Sequence, residues 1–155
     1  MTKINHTLSG ILFAEAVVAT MYPGVLTAGG ISHVLSDGQS LETLAPVVAA
    51  CVIGPIFPDI DIGIPGLPHR SLTHWFLPYA GLLIFAYLTG RFPLLFFSAG
   101  CLLHILLDSF SMMGVPILNP FGKRKGFGMM TVGGSADLVI SLLFILALVM
   151  PVIFL

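Results

Sequence analysis

Charge is what this chain lacks most. Of 155 residues only 8% are charged, six Lys or Arg and seven Asp or Glu, against about 25% in an ordinary soluble domain. So few ionic groups cannot cover the surface of a soluble protein this small, whereas 57% hydrophobic residues and a mean hydropathy of +1.05 suit a chain solvated by lipid. The same apolar excess excludes intrinsic disorder. Six basic residues and a net charge of −1 argue against nucleic-acid binding. Cysteine is scarce too. Cys51 and Cys101 lie inside apolar runs with no CxxC or Cys/His zinc-ribbon spacing, so they read as small buried apolar side chains. The N-terminal run does not read as a cleavable signal, because His6 and Glu15 interrupt it and no A-x-A site follows.

What is present is a series of apolar runs. Five segments stand out, at about Thr7–Tyr22, Leu41–Phe57, Leu72–Thr89, Phe92–Phe110 and Ala136–Leu155, stopped by Pro23-Gly24, Pro58 and the Gly90-Arg91 turn. None shows the alternation of a barrel strand, so the expected fold is all-α, a polytopic membrane bundle of about five membrane-embedded helices in a single domain spanning residues 1–155. Pro23 to Ser40 reads as a Gly-rich polar loop in which His33, Asp37 and Glu42 are ordinary loop polarity. Ser111 to Ser135 reads as a long Gly-rich connection whose Pro-broken apolar part, Val115 to Phe121, lies at the membrane interface. With five crossings, Lys3, Arg70, Lys123, Arg124 and Lys125 fall on one side and only Arg91 on the other, which predicts a cytoplasmic location for the first side.

The unusual polar residues collect on that same side. His6 stands at the start of the first segment, Asp59 and Asp61 at the end of the second, His69 and His74 at the start of the third. His104 and Asp108 stand near the end of the fourth, and Asp137 at the start of the fifth. His104 and Asp108 are four apart and share a helical face, a compact half-site for zinc or a similar ion. Ser71 reads as an N-cap that puts His69 just outside the third helix and His74 in its first turn. Asp59 and Asp61 alternate in a Pro-initiated extended stretch, one facing the site and the other a supporting partner. Ionisable groups in so apolar a chain are functional suspects. Asp137 has the simpler reading of a first-turn carboxylate favoured by the helix dipole, and Glu15 that of a bundle-facing hydrogen-bonded group.

At Pro58-Asp59-Ile60-Asp61, His69-Arg70-Ser71-Leu72-Thr73-His74, His104-Ile105-Leu106-Leu107-Asp108 and the following Gly114-Val115-Pro116-Ile117-Leu118-Asn119-Pro120-Phe121, the chain resembles the YdjM-type family of bacterial inner-membrane, metal-dependent hydrolases. That family carries PDID, an HRGxTH-like element, HxxxD and an early histidine matched by His6; Ser71 stands where it typically has Gly, and Asp137 where members often have Glu. The resemblance covers about residues 1 to 140. It implies a multi-helix bacterial inner-membrane hydrolase with one or two divalent metals, most simply Zn2+.

Taken with the residue types, the expected metal ligands are His6, Asp59, Asp61, His69, His74, His104 and Asp108. Asp59 or Asp61 is the candidate general base. Arg70 is the candidate holder of a substrate anion, with pairing to Asp59 or Asp61 as the equal alternative. Membrane lipids are the expected surroundings, and a phosphoester or other amphiphilic ester the expected substrate. The competing reading is a non-enzymatic metal-binding membrane protein with a transport, structural or regulatory role. A mid-membrane transport path is disfavoured by the clustering at helix ends.

Overall fold

The computed structural model describes residues 1–22, 24–25 and 28–154; Pro23, expected to stop the first segment, and Leu155, the expected end of the fifth, lie outside the described residues. Among the described residues the chain forms six α-helices: α1 (Lys3–Met21), α2 (Ala28–Ser36), α3 (Gly38–Ile53), α4 (Phe76–Thr89), α5 (Phe92–Ser109) and α6 (Ser135–Phe154). Two 3-10 turns, Phe57–Gly63 and Leu72–His74, separate α3 from α4. A two-residue antiparallel ladder, β1 (Val115–Pro116) with β2 (Arg124–Lys125), is the only sheet among the described residues.

Local chemistry sets the boundaries. The Asp37 carboxylate accepts the Ser40 N–H at 3.2 Å and caps α3. Gly90, at φ 68°, ends α4 in the left-handed cap that a Cβ disfavours, and Pro93 opens α5 in its first turn, so the two helices return antiparallel. Pro55 and Pro58 lack the N–H groups that would continue α3. The chain bends there by 54° into the first 3-10 turn.

Several expectations are corrected here. The protein is all-α and membrane-associated, but five long spans are not found. Among the described residues, α1 and α5 are long and apolar enough to cross a bilayer, and a third span results if α3 and the bent 3-10 turn count as one. The second apolar run is divided by its prolines. The third is shortened because Leu72–His74 is a 3-10 turn and α4 begins only at Phe76; its 14 residues reach about 21 Å of the roughly 30 Å hydrocarbon core. Ala28–Ser36 is helix rather than loop. Ser71 does not cap a helix: its hydroxyl donates to the Pro68 carbonyl at 2.5 Å. Asp59 and Asp61 sit in a 3-10 turn, not an extended stretch.

The apolar core is thin. One cluster joins α1 to α3 through Ala14, Val17, Val47 and Cys51, and another joins α4, α5 and β1 through Tyr79, Cys101, Ile105 and Val115. Both cysteines are buried free thiols. Between α3 and α5 the backbones meet closely: a Cβ on Gly100 would stand 2.6 Å from Pro55 Cδ and 3.1 Å from Gly54 Cα. Small residues permit this approach, as they do between helices in membranes. Gly100→Ala is therefore expected to push the Pro55 turn off α5 and to destabilise the protein by about 1–3 kcal/mol. Thermal unfolding of the detergent-solubilised variant reads this directly.

Candidate metal centre

The helix ends that meet at one end of the bundle bury polar groups rather than apolar ones. His6, His74, His104, Asp61, Asp108 and Asp137 are all among the most completely buried large side chains. Such burial is costly unless each group is paired or holds a cation.

His104 comes from the last turns of α5. Its Nδ1 lies 2.6 Å from the Pro55 carbonyl oxygen. A carbonyl only accepts, so Nδ1 carries the proton and Nε2 presents a lone pair. That carbonyl sits at the break in α3, so the proline bend itself orients the imidazole. His74 is fixed by a relay. The Thr73 hydroxyl donates to Asp61 Oδ2 at 2.6 Å and therefore accepts from His74 Nδ1 at 3.1 Å. Its Nε2 is left facing inward, 3.1 Å from His104 Nε2. Neutral imidazoles of these tautomers point two lone pairs at each other, an arrangement that calls for a cation.

Two carboxylates complete a triangle on either side of this pair. Asp59 Oδ1 is 3.6 Å from both Nε2 atoms, and Asp108 Oδ2 is 3.5 Å from His74 Nε2 and 3.6 Å from His104 Nε2. Tetrahedral ligands at zinc's usual 2.0–2.2 Å would stand about 3.3–3.6 Å apart. Each carboxylate, with the two Nε2 atoms, thus has the spacing of three ligands to a small divalent ion. Asp108 Oδ1 turns the other way, 3.3 Å from His6 Nε2 and 2.5 Å from the Met1 amino group. His6 stacks on His104 with ring centroids 3.7 Å apart, and its buried Nδ1 has no hydrogen-bond partner.

Among the described residues, three overlapping groups have ligand atoms within 4.8 Å of one another, close enough to share an ion: His6, His104 and Asp108; Asp59, His74 and His104; Asp61, His69 and His74. All seven sequence-predicted ligands fall in them, but their surroundings differ. Asp61 accepts the Arg70 N–H at 2.9 Å, His69 Nδ1 at 2.8 Å and the Thr73 hydroxyl. Three donors already occupy its two oxygens. Asp59, 13% exposed, faces the two Nε2 atoms and a neighbouring cavity.

Arg70 is 3% exposed and adopts φ 58°, a left-handed conformation that strains a non-glycine residue. Its guanidinium meets Asp108 Oδ2 at 3.0 Å and donates to Ser111 Oγ at 2.7 Å and the Gly114 carbonyl at 3.3 Å. The side chain therefore reaches Asp108, while only its backbone N–H reaches Asp61. Asp137 stands apart. It accepts from Asn5 Nδ2, from Thr2 N at 3.1 Å and from Gly133 N at 2.9 Å, joining α6 to α1. Glu15 is half-buried in α1.

Sequence reasoning passed over Asn5, Pro55, Thr73 and Ser111. Thr73 and Asn5 stand next to His74 and His6 in the chain; Pro55 and Ser111 act across the fold, Pro55 through its carbonyl.

His74 lies in the 3-10 turn ahead of α4. Burial lowers its pKa, but hydrogen bonding to Asp108 and Asp59 and the negative charge of Asp108 and Asp61 outweigh burial and raise it above its ordinary value. Below the raised pKa the ring holds a proton that an incoming ion must displace. Cation affinity is therefore expected to rise with pH up to that value and to fall by about tenfold for each proton displaced per unit below it. Zn2+ titrations against a competing chelator at pH 6 and pH 8 measure the slope, and an unchanged affinity would exclude His74 as a ligand.

A family model described as YdjM inner membrane protein matches residues 1–154. No curated protein and no solved structure matches the chain.

Proposed function

The chain belongs to the YdjM inner membrane protein family, and on that premise we propose that it is a membrane-bound metal-dependent hydrolase acting on a phosphoester or other amphiphilic ester. The observation that carries this reading is the pair of Nε2 atoms 3.1 Å apart, each oriented by a partner on its Nδ1. His74, His104, Asp59 and Asp108 would hold the first divalent ion, Zn2+ being the best match to the donors and spacing. His6, with the other oxygen of Asp108, would take part in holding a second. A bound ion of this kind supplies Lewis acidity and a water acidified toward neutrality.

The residues divide the remaining work. Asp59 keeps an oxygen free of protein donors and is the candidate general base when it is not a ligand. Asp61 holds His69 and, through Thr73, His74, so its role is orientation. Arg70 fixes Asp108; with its guanidinium committed there, holding a ligand carboxylate suits it better than clamping a substrate anion. In this reading the site lies at the cytoplasmic face. The basic run Lys123-Arg124-Lys125 sits in the same exposed loop as Leu118, Phe121 and Phe127, a combination suited to an anionic leaflet.

The test is metal analysis of purified protein coupled to a phosphoester hydrolysis screen. His104→Ala with Asp108→Ala is expected to abolish both metal retention and turnover. Asp61→Asn should weaken metal binding by about 10–100-fold, as loss of an orienting partner does elsewhere. Full metal content in the double variant would remove this centre from consideration.

Arg70→Lys separates the two roles of Arg70. Lysine keeps the charge but loses the planar fork. If Arg70 positions Asp108, metal affinity and turnover fall together, by about tenfold or more. If it clamps substrate, turnover falls while metal content stays at the wild-type level.

A further inference from the structure

Beside the centre, a cavity of about 360 Å³ opens between the first turns of α1 and the bend at residues 53–60. Its walls are Ile53, Ile56, Phe57 and Ile60, each between 37% and 53% exposed. Buried His6 and nearly buried Asp59 line it from the metal centre, and exposed Lys3 is its cation. An apolar volume that opens among exposed apolar side chains and ends on metal-ligand candidates has the build of an access route, and its size falls in the lower range of small-ligand pockets, about 300–1,000 Å³.

We propose that this cavity is an acyl-chain subsite, which takes the tail of an anionic single-chain amphiphile sideways from the bilayer while Lys3 pairs with the head-group anion. Charge complementarity selects this occupant. Lys3 is the one Lys or Arg lining the cavity, and the four large apolar side chains around it offer a tail no polar partner. A neutral tail would gain the apolar contact but leave Lys3 unused. Two tails would need more volume than this cavity holds. The subsite rests on the hydrolase reading for its purpose, though not for its occupancy. It accounts for why the polar cluster lies at helix ends beside an opening toward lipid instead of facing bulk water.

Photolabelling tests occupancy without requiring turnover. The full chain in detergent is exposed to a trace of lysophosphatidate carrying a diazirine in its acyl chain, and adducts are mapped by mass spectrometry. Adducts on residues 53–60 are expected to exceed those on the exposed α4 stretch 84–88 by about tenfold, a site-specific preference of the size one good subsite confers. Excess lysophosphatidate should erase the difference, whereas uncharged monoacylglycerol should not. Lys3→Glu and Ile60→Trp should each lower the ratio several-fold with metal content unchanged, the first by reversing the charge and the second by filling the volume. A ratio near one, or equal competition by the uncharged lipid, overturns the subsite. Selective labelling without turnover of any phosphoester keeps the subsite and removes the hydrolase reading. Turnover of a soluble phosphoester with a ratio near one removes the subsite and keeps the hydrolase.

Discussion

Two imidazole Nε2 atoms held 3.1 Å apart in an apolar interior are compatible only if a proton or a metal ion lies between them. Much of the lower bundle is arranged around that constraint. The break in α3 frees the Pro55 carbonyl for His104, the Asp61–Thr73 pair fixes His74, and Asp59 and Asp108 bring negative charge to the same gap. Each supporting contact leaves one ligand atom uncommitted, which is how a metal site differs from a hydrogen-bonded polar core.

The cost of this arrangement falls on stability. Fully buried large apolar side chains are few among the described residues, and the backbones meet closely at Gly54 and Gly100. Much of the packing at the site end is polar: Asn5 to Asp137 joins α6 to α1, Arg70 joins the turn before α4 to the end of α5, and Ser111 with Gly114 draws the long loop onto the same guanidinium. A bundle tied this way depends on the charge balance of its centre. Without a metal ion, the clustered carboxylates and imidazoles have protons, Arg70 and the Met1 amino group to offset them, so an ion bound there would couple to folding.

How much of this was legible in the chain differs from residue to residue. The HxxxD spacing put His104 and Asp108 on one helical face, and they are. The scarcity of charge marked the remaining polar residues as exceptional, and hydropathy placed them at one end of the bundle. The number of spans was not legible, because hydropathy counts apolar residues and does not feel the backbone break at Pro55 and Pro58 or the turn that delays α4. Nor was the direction of Arg70, whose guanidinium pairs with Asp108 and not with the nearby-in-sequence Asp59 or Asp61.

Composition and periodicity alone established an all-α, membrane-associated chain whose few ionic groups converge, since both follow from which solvent each residue tolerates and on which helical face it falls. Tertiary structure decided what those groups do. Asp59 and Asp61 are chemically identical and two residues apart, yet one retains an oxygen facing the imidazoles and the other is enclosed by three donors. Those donors, and the carbonyl that orients His104, come from separate elements. A carboxylate's role is set by the hydrogen bonds that reach it, and these exist only once the helices and turns have packed.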